Sequence, residues 1–565
     1  MAIDELLTAE PVRENSTLDN VLQSLGSLLV QNRLVAPVAI DYALHKQKIE
    51  GGPLGLLLVE LGFLSSKDLA RQLALQRGID YRDVDRLPYI DPQAASSFNR
   101  NLCLTHGFLP VAYEDDALRV LLGNAIPDEV AALVQRRLGI RVLFWQGEFQ
   151  AVARAIHQYY YFAENPVDKL IEGEIRRLQA DVDRAYSPAR LLDLILHLAV
   201  RERATDVHFA PTAKSRTVLL RVDGVLRSMF ALSPLLDRLV AYIKLQANME
   251  ASEHRLPQDG SFTAEVMASA WTIRVSTLIS EFGERMVLRL LPERSDLDKL
   301  TDLGFLQEDV ERMERIFSRP HGLLLITGPT GSGKSTTLHA ALRMQQLVER
   351  NVLTVEDPVE YRVPVACQTE VNRRAGYEFA SAMRHFLRHD PDIMLIGEIR
   401  DAETARAALD AASTGHLVLS TLHVGSIFGV VPRLRLLGVD AETVAENLVA
   451  IINQRLVRRI CPHCSRERPT TAAERQWLQS DVASVRQGVG CGHCSGSGYF
   501  GRLPVYELLI VQRELADAIA AEAPRSELRR LVEAGGMRLI LSQARQRVLA
   551  GESTLEEMQR AVGLE

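Results

Sequence analysis

The chain has 565 residues, with 65 Lys and Arg against 72 Asp and Glu, a formal net charge of −7. With 47% hydrophobic and 24% charged residues, it has the composition of folded globular protein, and its length suits roughly three or four domains. The acidic balance argues against broad nucleic-acid binding, the 6% aromatic content against base-stacking surfaces, and no apolar run approaches the ~20 residues of a membrane span.

The N-terminus, MAIDELLTAEPVREN, is acidic and lacks the apolar segment of a secretory signal. The expectation is a cytoplasmic chain that meets a membrane only through partners. Residues 25–47 and 54–76 form an internal repeat at an offset of 29: Leu25-Gly26 matches Leu54-Gly55, Leu29-Val30 matches Leu58-Val59, and Gln47 matches Gln76. Each unit reads as a short helix, a turn at Arg33 or Gly62, and a second helix with apolar residues at helical spacing. From Phe108 to Leu143 the pattern becomes strand, strand, helix, strand, a small α/β module. Glu164 to Arg184 is charged and reads as a linker or linking helix, with a domain boundary near 170–185.

Ser187-Pro188 and the leucines that follow start a helix. Strand-like pieces come next at Asp206–Phe209, Thr217–Val222, Phe262–Val266, Trp271–Val275 and Met286–Leu290. Asp223-Gly224 and Asp259-Gly260 read as turns between them. This is an α+β domain carrying Arg221, Arg274 and Arg289 on its strands, where arginines ordinarily serve a solvated face or an ion pair.

GPTGSGKS, Gly328 to Ser335, fits the phosphate-loop pattern G-x-x-x-x-G-K-[S/T] at every fixed position. An apolar run, Gly322–Thr327, precedes it, and helix-forming residues from Thr336 to Val348 follow. The backbone N–H groups of Gly328, Pro329-Thr330-Gly331-Ser332-Gly333 (Pro329 excepted) cradle an anion, helped by the helix dipole. Lys334 reaches the β- and γ-phosphates and Ser335 binds Mg²⁺. Further buried-strand runs follow at Val352–Val355, Ile393–Ile396 and Leu417–Thr421, with helical patterns at Phe379–Leu387 and Ala402–Ala412 between them. That alternation implies a parallel sheet. Polar residues stand past the end of each run, where open α/β sheets bind ligands. Glu398 is placed as a Mg²⁺-associated carboxylate. Glu356, Asp357 and Glu360 each offer a carboxylate to polarise water, and His416 and His423 can contact a γ-phosphate. Cys461-Pro-His-Cys464 and Cys491-Gly-His-Cys494, 26 residues apart, supply four thiolates for structural tetrahedral zinc. Cys103 and Cys367 stand alone and read as ordinary small residues. The remainder, Ala516 to Val562, is helical in pattern.

In order, ATDVHFAP (204–211), LLRVDG (219–224), RLPQDG (255–260), RVSTL (274–278), GPTGSGKS, TVEDPVEY (354–361), LRHDPDIMLIGEIRD (387–401), TGHLVLSTLH (414–423), the paired C-x-x-C and GYFGRLPVYE (498–507) resemble the secretion ATPases of type II secretion and type IV pilus assembly, the GspE/PilB group. The match runs from about residue 187 to the C-terminus. The repeat at 25–76 is similar to that family's N-terminal module, which in some members binds cyclic di-GMP. The resemblance implies a multidomain α/β protein: an N-terminal module at 1–165 (repeat 25–76, α/β part 85–160), a linker at 166–186, a PAS-like α+β domain at 187–298, and a RecA-like P-loop motor domain at 299–565 with a zinc subdomain at 456–505 and a helical part at 506–565. It places the catalytic carboxylate at Glu360, with Glu356 second, Glu398 in an atypical Walker B, and His423 in the His box. ATP binds Gly328 to Thr336, with Arg221, Arg274 and Arg289 reaching the nucleotide. It implies a homohexamer, peripheral to the inner membrane, that works on a platform protein and a cytoplasmic docking protein, without nucleic acid as partner. The paired cysteines favour pilus extension over retraction. Departures are Ser261 where Arg is usual, Val424-Gly425 where Thr-Asn is usual, and Ser24 and Pro53 where each cyclic di-GMP repeat opens with Arg. A conjugation-type DNA motor, and a nucleotide-sensing protein with an inactive motor, are the rival readings.

Overall fold

The computed structural model describes residues 25–84, 87, 90–180, 188–233, 238–292, 299–344 and 347–563, apart from 85–86 and 88–89. They fall into two compact units: Leu73–Glu293, and Met1–Gln72 together with Arg294–Glu565.

In the unit Leu73–Glu293, a four-stranded sheet runs in the order Asp80–Tyr81, Arg141–Gln146, Ala117–Leu122, Phe108–Glu114. The helix Phe149–Glu164 packs Val152, Ile156 and Tyr160 into its core. The next helix, Val167–Ala180, buries Val167 and Ile171 in the core of the following domain. The described part of the expected linker is therefore folded structure, and 181–186 lie outside the described residues. A six-stranded antiparallel sheet follows, ordered Val225–Leu232, Arg216–Val222, Ala204–Pro211, Gly283–Pro292, Ser269–Ser280, Gln258–Val266. Helices Ala189–Arg201 and Arg238–Gln246 bury Leu191, Ile195 and Ile243 with Val207, Phe209, Val218 and Leu220. The strand Val225–Leu232 and the helix Arg238–Gln246 were not expected from sequence. Asp223-Gly224 does form a turn, with φ of 49° and 84°. Asp259-Gly260 does not: both lie inside the strand Gln258–Val266. Gly260 is needed there for close approach, since a Cβ on it would sit 2.2 Å from the Ala247 carbonyl oxygen and 2.7 Å from Met249 Cγ.

In the other unit, the repeat forms helices Leu25–Gln31, Pro37–Glu50, Leu54–Glu60 and the start of Ser66–Arg77. Arg33 and Gly62, equivalent positions, both turn the chain with positive φ, 54° and 78°. Phe63 packs against the core that contains Phe305, Leu324 and Leu338, and Arg71 and Lys299 make ion pairs with Asp302 and Asp68 at 2.7 and 2.6 Å. The pairs are partly exposed and worth little alone, so apolar burial around Phe63 is the stronger tie. These contacts group 25–72 with the motor domain, whereas a single module over 1–165 was expected.

The motor sheet is seven-stranded: Cys367–Glu370, Val352–Glu356, Ile393–Ile396, Leu417–Leu422, Gly322–Thr327, Leu448–Ile460, Tyr499–Ile510. All neighbours are parallel until the last strand, which is antiparallel. The Gly322–Thr327, Ile393–Ile396 and Leu417–Leu422 strands are buried along their whole length, which is why their sequences lack alternation. Beyond the sheet stand a hairpin, Ser465–Pro469 with Ser484–Gly488, and helices Arg513–Ala520, Arg525–Ala534, Ile540–Leu549 and Leu555–Val562. Among the described residues no helix is long and apolar enough to cross a membrane.

The Gly260→Ala protein is expected to unfold at lower urea concentration, at a cost of about 1–3 kcal/mol, measured as a shift in the midpoint of the Leu73–Glu293 transition. An unchanged midpoint contradicts the packing account.

Candidate active site

The phosphate loop joins a fully buried strand to the helix Lys334–Arg343. That helix begins at Lys334 itself and stops before the expected Val348. Gly328 has φ 143°, and a Cβ there would lie 2.4 Å from the Gln454 carbonyl oxygen, so only glycine fits. Lys334 Nζ donates to the carbonyl oxygens of Gly328 and Pro329, both at 3.1 Å. Its pKa is lowered, chiefly by burial and also by the Arg455 charge, against the pull of Glu398 and Glu360. A cation in that state gains from an anion. Ser332 is buried in the loop, Pro329 and Thr330 are exposed at its tip, and Ser335 and Thr336 form the first helical turn. Thr336 Oγ1 lies 3.0 Å from the Tyr361 hydroxyl.

Glu398 follows the Ile393–Ile396 strand, with its Oε2 2.7 Å from Arg400 Nε and 3.4 Å from His423 Nε2. His423 follows the Leu417–Leu422 strand, and burial together with Lys334's charge lowers its pKa. Lys334, Glu398 and His423 thus meet at one sheet edge. His416 does not belong there. It precedes its strand, with its ring Nδ1 2.9 Å from the Ala411 carbonyl oxygen, at the opposite edge of the sheet.

The three neighbouring carboxylates have different surroundings. Glu356 is 3% exposed, accepts from Thr354 Oγ1 at 2.8 Å and Gln368 Nε2 at 3.0 Å, and lies 2.9 Å from His339 Nε2. Asp357 accepts from Arg373 at 2.6 Å. Glu360 is exposed, and its charge reaches Lys334. His339 lies on the phosphate-loop helix with Nδ1 2.8 Å from the Ser335 carbonyl oxygen. Burial is the largest single influence on its pKa and pushes it down. Glu356, the Ser335 carbonyl and Glu360 together outweigh this and hold it above the ordinary value. The His339–Glu356 pair ties the phosphate-loop helix to the strand leading to Glu360.

In the other unit, strand register sets Arg221, Asp206, Arg289 and Arg274 directly opposite one another across four strands. Residues opposite in an antiparallel sheet share a face. Arg289 Nε donates to Asp206 at 3.0 Å, and Arg221 Nε lies 3.7 Å from the same carboxylate.

Cys461, Cys464, Cys491 and Cys494 place all their sulfurs within 4.8 Å of one another. The Sγ separations of 3.9, 3.8 and 3.8 Å match the ~3.8 Å edge of a tetrahedron with metal–sulfur bonds near 2.3 Å. The amides of Gly490, Cys491 and Gly498 point at Cys464 and Cys494 sulfurs from 3.2–3.3 Å, as thiolates favour. The rings of His463 and His493 lie 4.1 Å apart, tilted by 49°, outside this sulfur set.

His339, Arg400, Gln454 and Arg455 escaped the sequence reading. A signal existed for two of them: Asn453-Gln454-Arg455 abruptly ends the apolar run Leu448–Ile452 inside the strand Leu448–Ile460.

A phosphate loop, a parallel sheet with the loop strand inside it, and an acidic group following the strand next but one define a RecA-like P-loop fold. Residues 183–560 match the model of the type II/IV secretion system protein family, and the chain belongs to that family. It is 36% identical over 532 residues to the type IV pilus assembly ATPase PilB of Thermus thermophilus, covering 91% of this chain and 59% of that one. It is 41% identical over 421 residues to the putative type II secretion system protein E of Escherichia coli, covering 73% and 84%. Among solved structures, the Legionella pneumophila ATPase DotB is similar at 22% identity and a TM-score of 0.49, covering 67% of this chain and 97% of that one.

Because the His339 pKa is raised on folding, the stability it contributes is complete below the ordinary value near 6.5 and fades as pH rises through the higher folded value. The gap in urea midpoint between wild type and His339→Gln is expected to be widest below about pH 6.5 and to narrow at alkaline pH. A gap that does not change with pH contradicts the pairing.

Proposed function

We propose that the chain is a Mg²⁺-dependent ATPase that powers assembly of pilin-like subunits, in type IV pilus extension or type II secretion, through an inner-membrane platform protein. The observation that carries this reading is the meeting of Lys334, Glu398 and His423 at the end of parallel strands. The amides from Gly328 to Thr336 and the Lys334 ammonium hold the β- and γ-phosphates. Ser335 and Glu398 offer the hard oxygen ligands Mg²⁺ prefers, and the ion, when bound, neutralises charge developing on the phosphates. Glu360 is exposed and orients the attacking water. Glu356 is the second choice, because its oxygens already serve Thr354, Gln368 and His339. His423 steadies Glu398. Arg221, Arg274 and Arg289 add positive charge around the nucleotide in an assembled homohexamer.

The four cysteines hold structural zinc, for their spacing leaves no open ligand position. The chain acts at the cytoplasmic side of the inner membrane, joined to it by partners. For cyclic di-GMP the support is thinner. Pro53 opens the second repeat with neither a guanidinium nor an amide N–H, and Ser24 lies outside the described residues. The net charge of −7 disfavours a DNA motor, and the complete phosphate loop disfavours an inactive one.

Lys334→Ala is expected to lower steady-state ATP turnover by at least about a hundredfold while leaving the far-ultraviolet circular dichroism unchanged. Undiminished turnover contradicts the assignment. Elemental analysis is expected to find one zinc per chain, and none in a Cys461→Ser/Cys464→Ser protein. Deleting the gene, with pili and secreted enzymes scored in parallel, separates the two machines: lost pili point to extension, lost secretion to the type II system, and neither loss removes the machine assignment.

A further inference from the structure

The strand beside the phosphate-loop strand carries a second cation into the site. Leu448–Ile460 is buried from Leu448 to Gln454. Register pairs its Asn453 with Thr327, the last residue before the loop. Gln454 comes next, and its Nε2 donates to the Ser332 carbonyl oxygen at 2.7 Å. Its own carbonyl oxygen is the atom that excludes any side chain at Gly328. Arg455 follows. Its Nη2 donates to the Gly425 carbonyl oxygen at 2.8 Å, two residues beyond His423. Its Nη1 lies at 3.5 Å from the Gln454 carbonyl oxygen.

The sheet order explains what this reach means. The loop strand Gly322–Thr327 lies between the Leu417–Leu422 strand, which leads to Gly425, and the Leu448–Ile460 strand, which carries Arg455. The guanidinium therefore starts on one side of the loop strand and is anchored on the other, across the start of the phosphate loop. Among the described residues no carboxylate lies within ion-pair distance of Arg455. It is half-buried, burial lowers its pKa against the pull of Glu507, and Lys334 in turn feels its positive charge. Two cations that feel each other's charge repel, and an anion between them relieves that repulsion. Among the described residues it meets two acceptors, both neutral carbonyls, with a group that has five N–H donors.

We propose that Arg455 is a nucleotide-contacting residue of this site: anchored on Gly425, it donates from its own subunit to the terminal phosphate of a bound nucleoside triphosphate. Arginine suits the task because its planar fork can hold a carbonyl on one edge and a phosphate on the other. The contact also places the γ-phosphate in register with the strand that runs on to Cys461. Loss of that phosphate frees the Arg455 side chain in the middle of this continuous strand. The assignment rests on the nucleotide reading given above.

The test is calorimetric binding of Mg²⁺ with a non-hydrolysable imidodiphosphate analogue of ATP, and separately with ADP, to full-length wild type, Arg455→Ala, Arg455→Lys and Arg455→Gln. The alanine and glutamine variants are expected to lose about tenfold or more in affinity for the triphosphate analogue and less than about threefold for ADP. The lysine variant, with charge but no fork, is expected to fall between them and wild type. If Arg455→Ala does not fold, the lysine and glutamine variants decide. Equal losses for both nucleotides, or none for either, overturn the role of Arg455 and leave the nucleotide site standing. A wild-type protein that binds neither nucleotide overturns the nucleotide reading and this assignment with it.

Discussion

Six neighbouring strands of the motor sheet run in one direction, and the chemistry of the molecule depends on that constraint. Parallel strands end at a common edge, so whatever follows each strand is delivered to the same place. The phosphate loop, Glu398, His423 and Gln454-Arg455 are far apart in sequence and follow, or lie on, four consecutive strands of the sheet. The same constraint removes His416, which lies at the start of its strand and so at the wrong edge. Position relative to strand direction, more than residue type, decides which histidine stands at the phosphate-loop edge.

Much of this was legible in the sequence because strands buried on both faces leave an unbroken apolar signature. Ile393–Ile396 was read to the residue, and Leu417–Leu422 to within one. The phosphate loop and the paired cysteines are legible for another reason, since backbone geometry and metal geometry fix their spacing. What escaped has physical causes. Val225–Leu232 is an edge strand carrying Arg227 and Ser228, and an edge strand need not look apolar. Asp259-Gly260 reads as a turn locally, but its glycine answers a distant backbone carbonyl at Ala247. Arg455 was missed because its polar stretch, though visible, does not tell which strand will lie beside the loop strand. The docking of the repeat onto the motor domain rests on Phe63, an ordinary residue in its own segment.

The carboxylates after Thr354 divide their labour through burial. Glu356 is enclosed and tied to the phosphate-loop helix by His339, so it holds two elements of the site in register. Removing one member of such a buried pair leaves an uncompensated group, which costs several kcal/mol. Glu360, four residues on, is exposed and free to meet solvent. One segment thus supplies both a rigid tie and a group that can act on water. The proposed motor would need this combination: binding energy transmitted through fixed contacts, and a reacting water that remains reachable.

The most direct test of this account is phosphate release from Mg-ATP by purified wild-type and Glu360→Gln protein, with ATP binding measured on the same samples. Retained binding with turnover reduced about a hundredfold or more is the predicted result. Turnover close to wild type in the Glu360→Gln protein would contradict it, and would return the catalytic role to a carboxylate the structure shows already engaged.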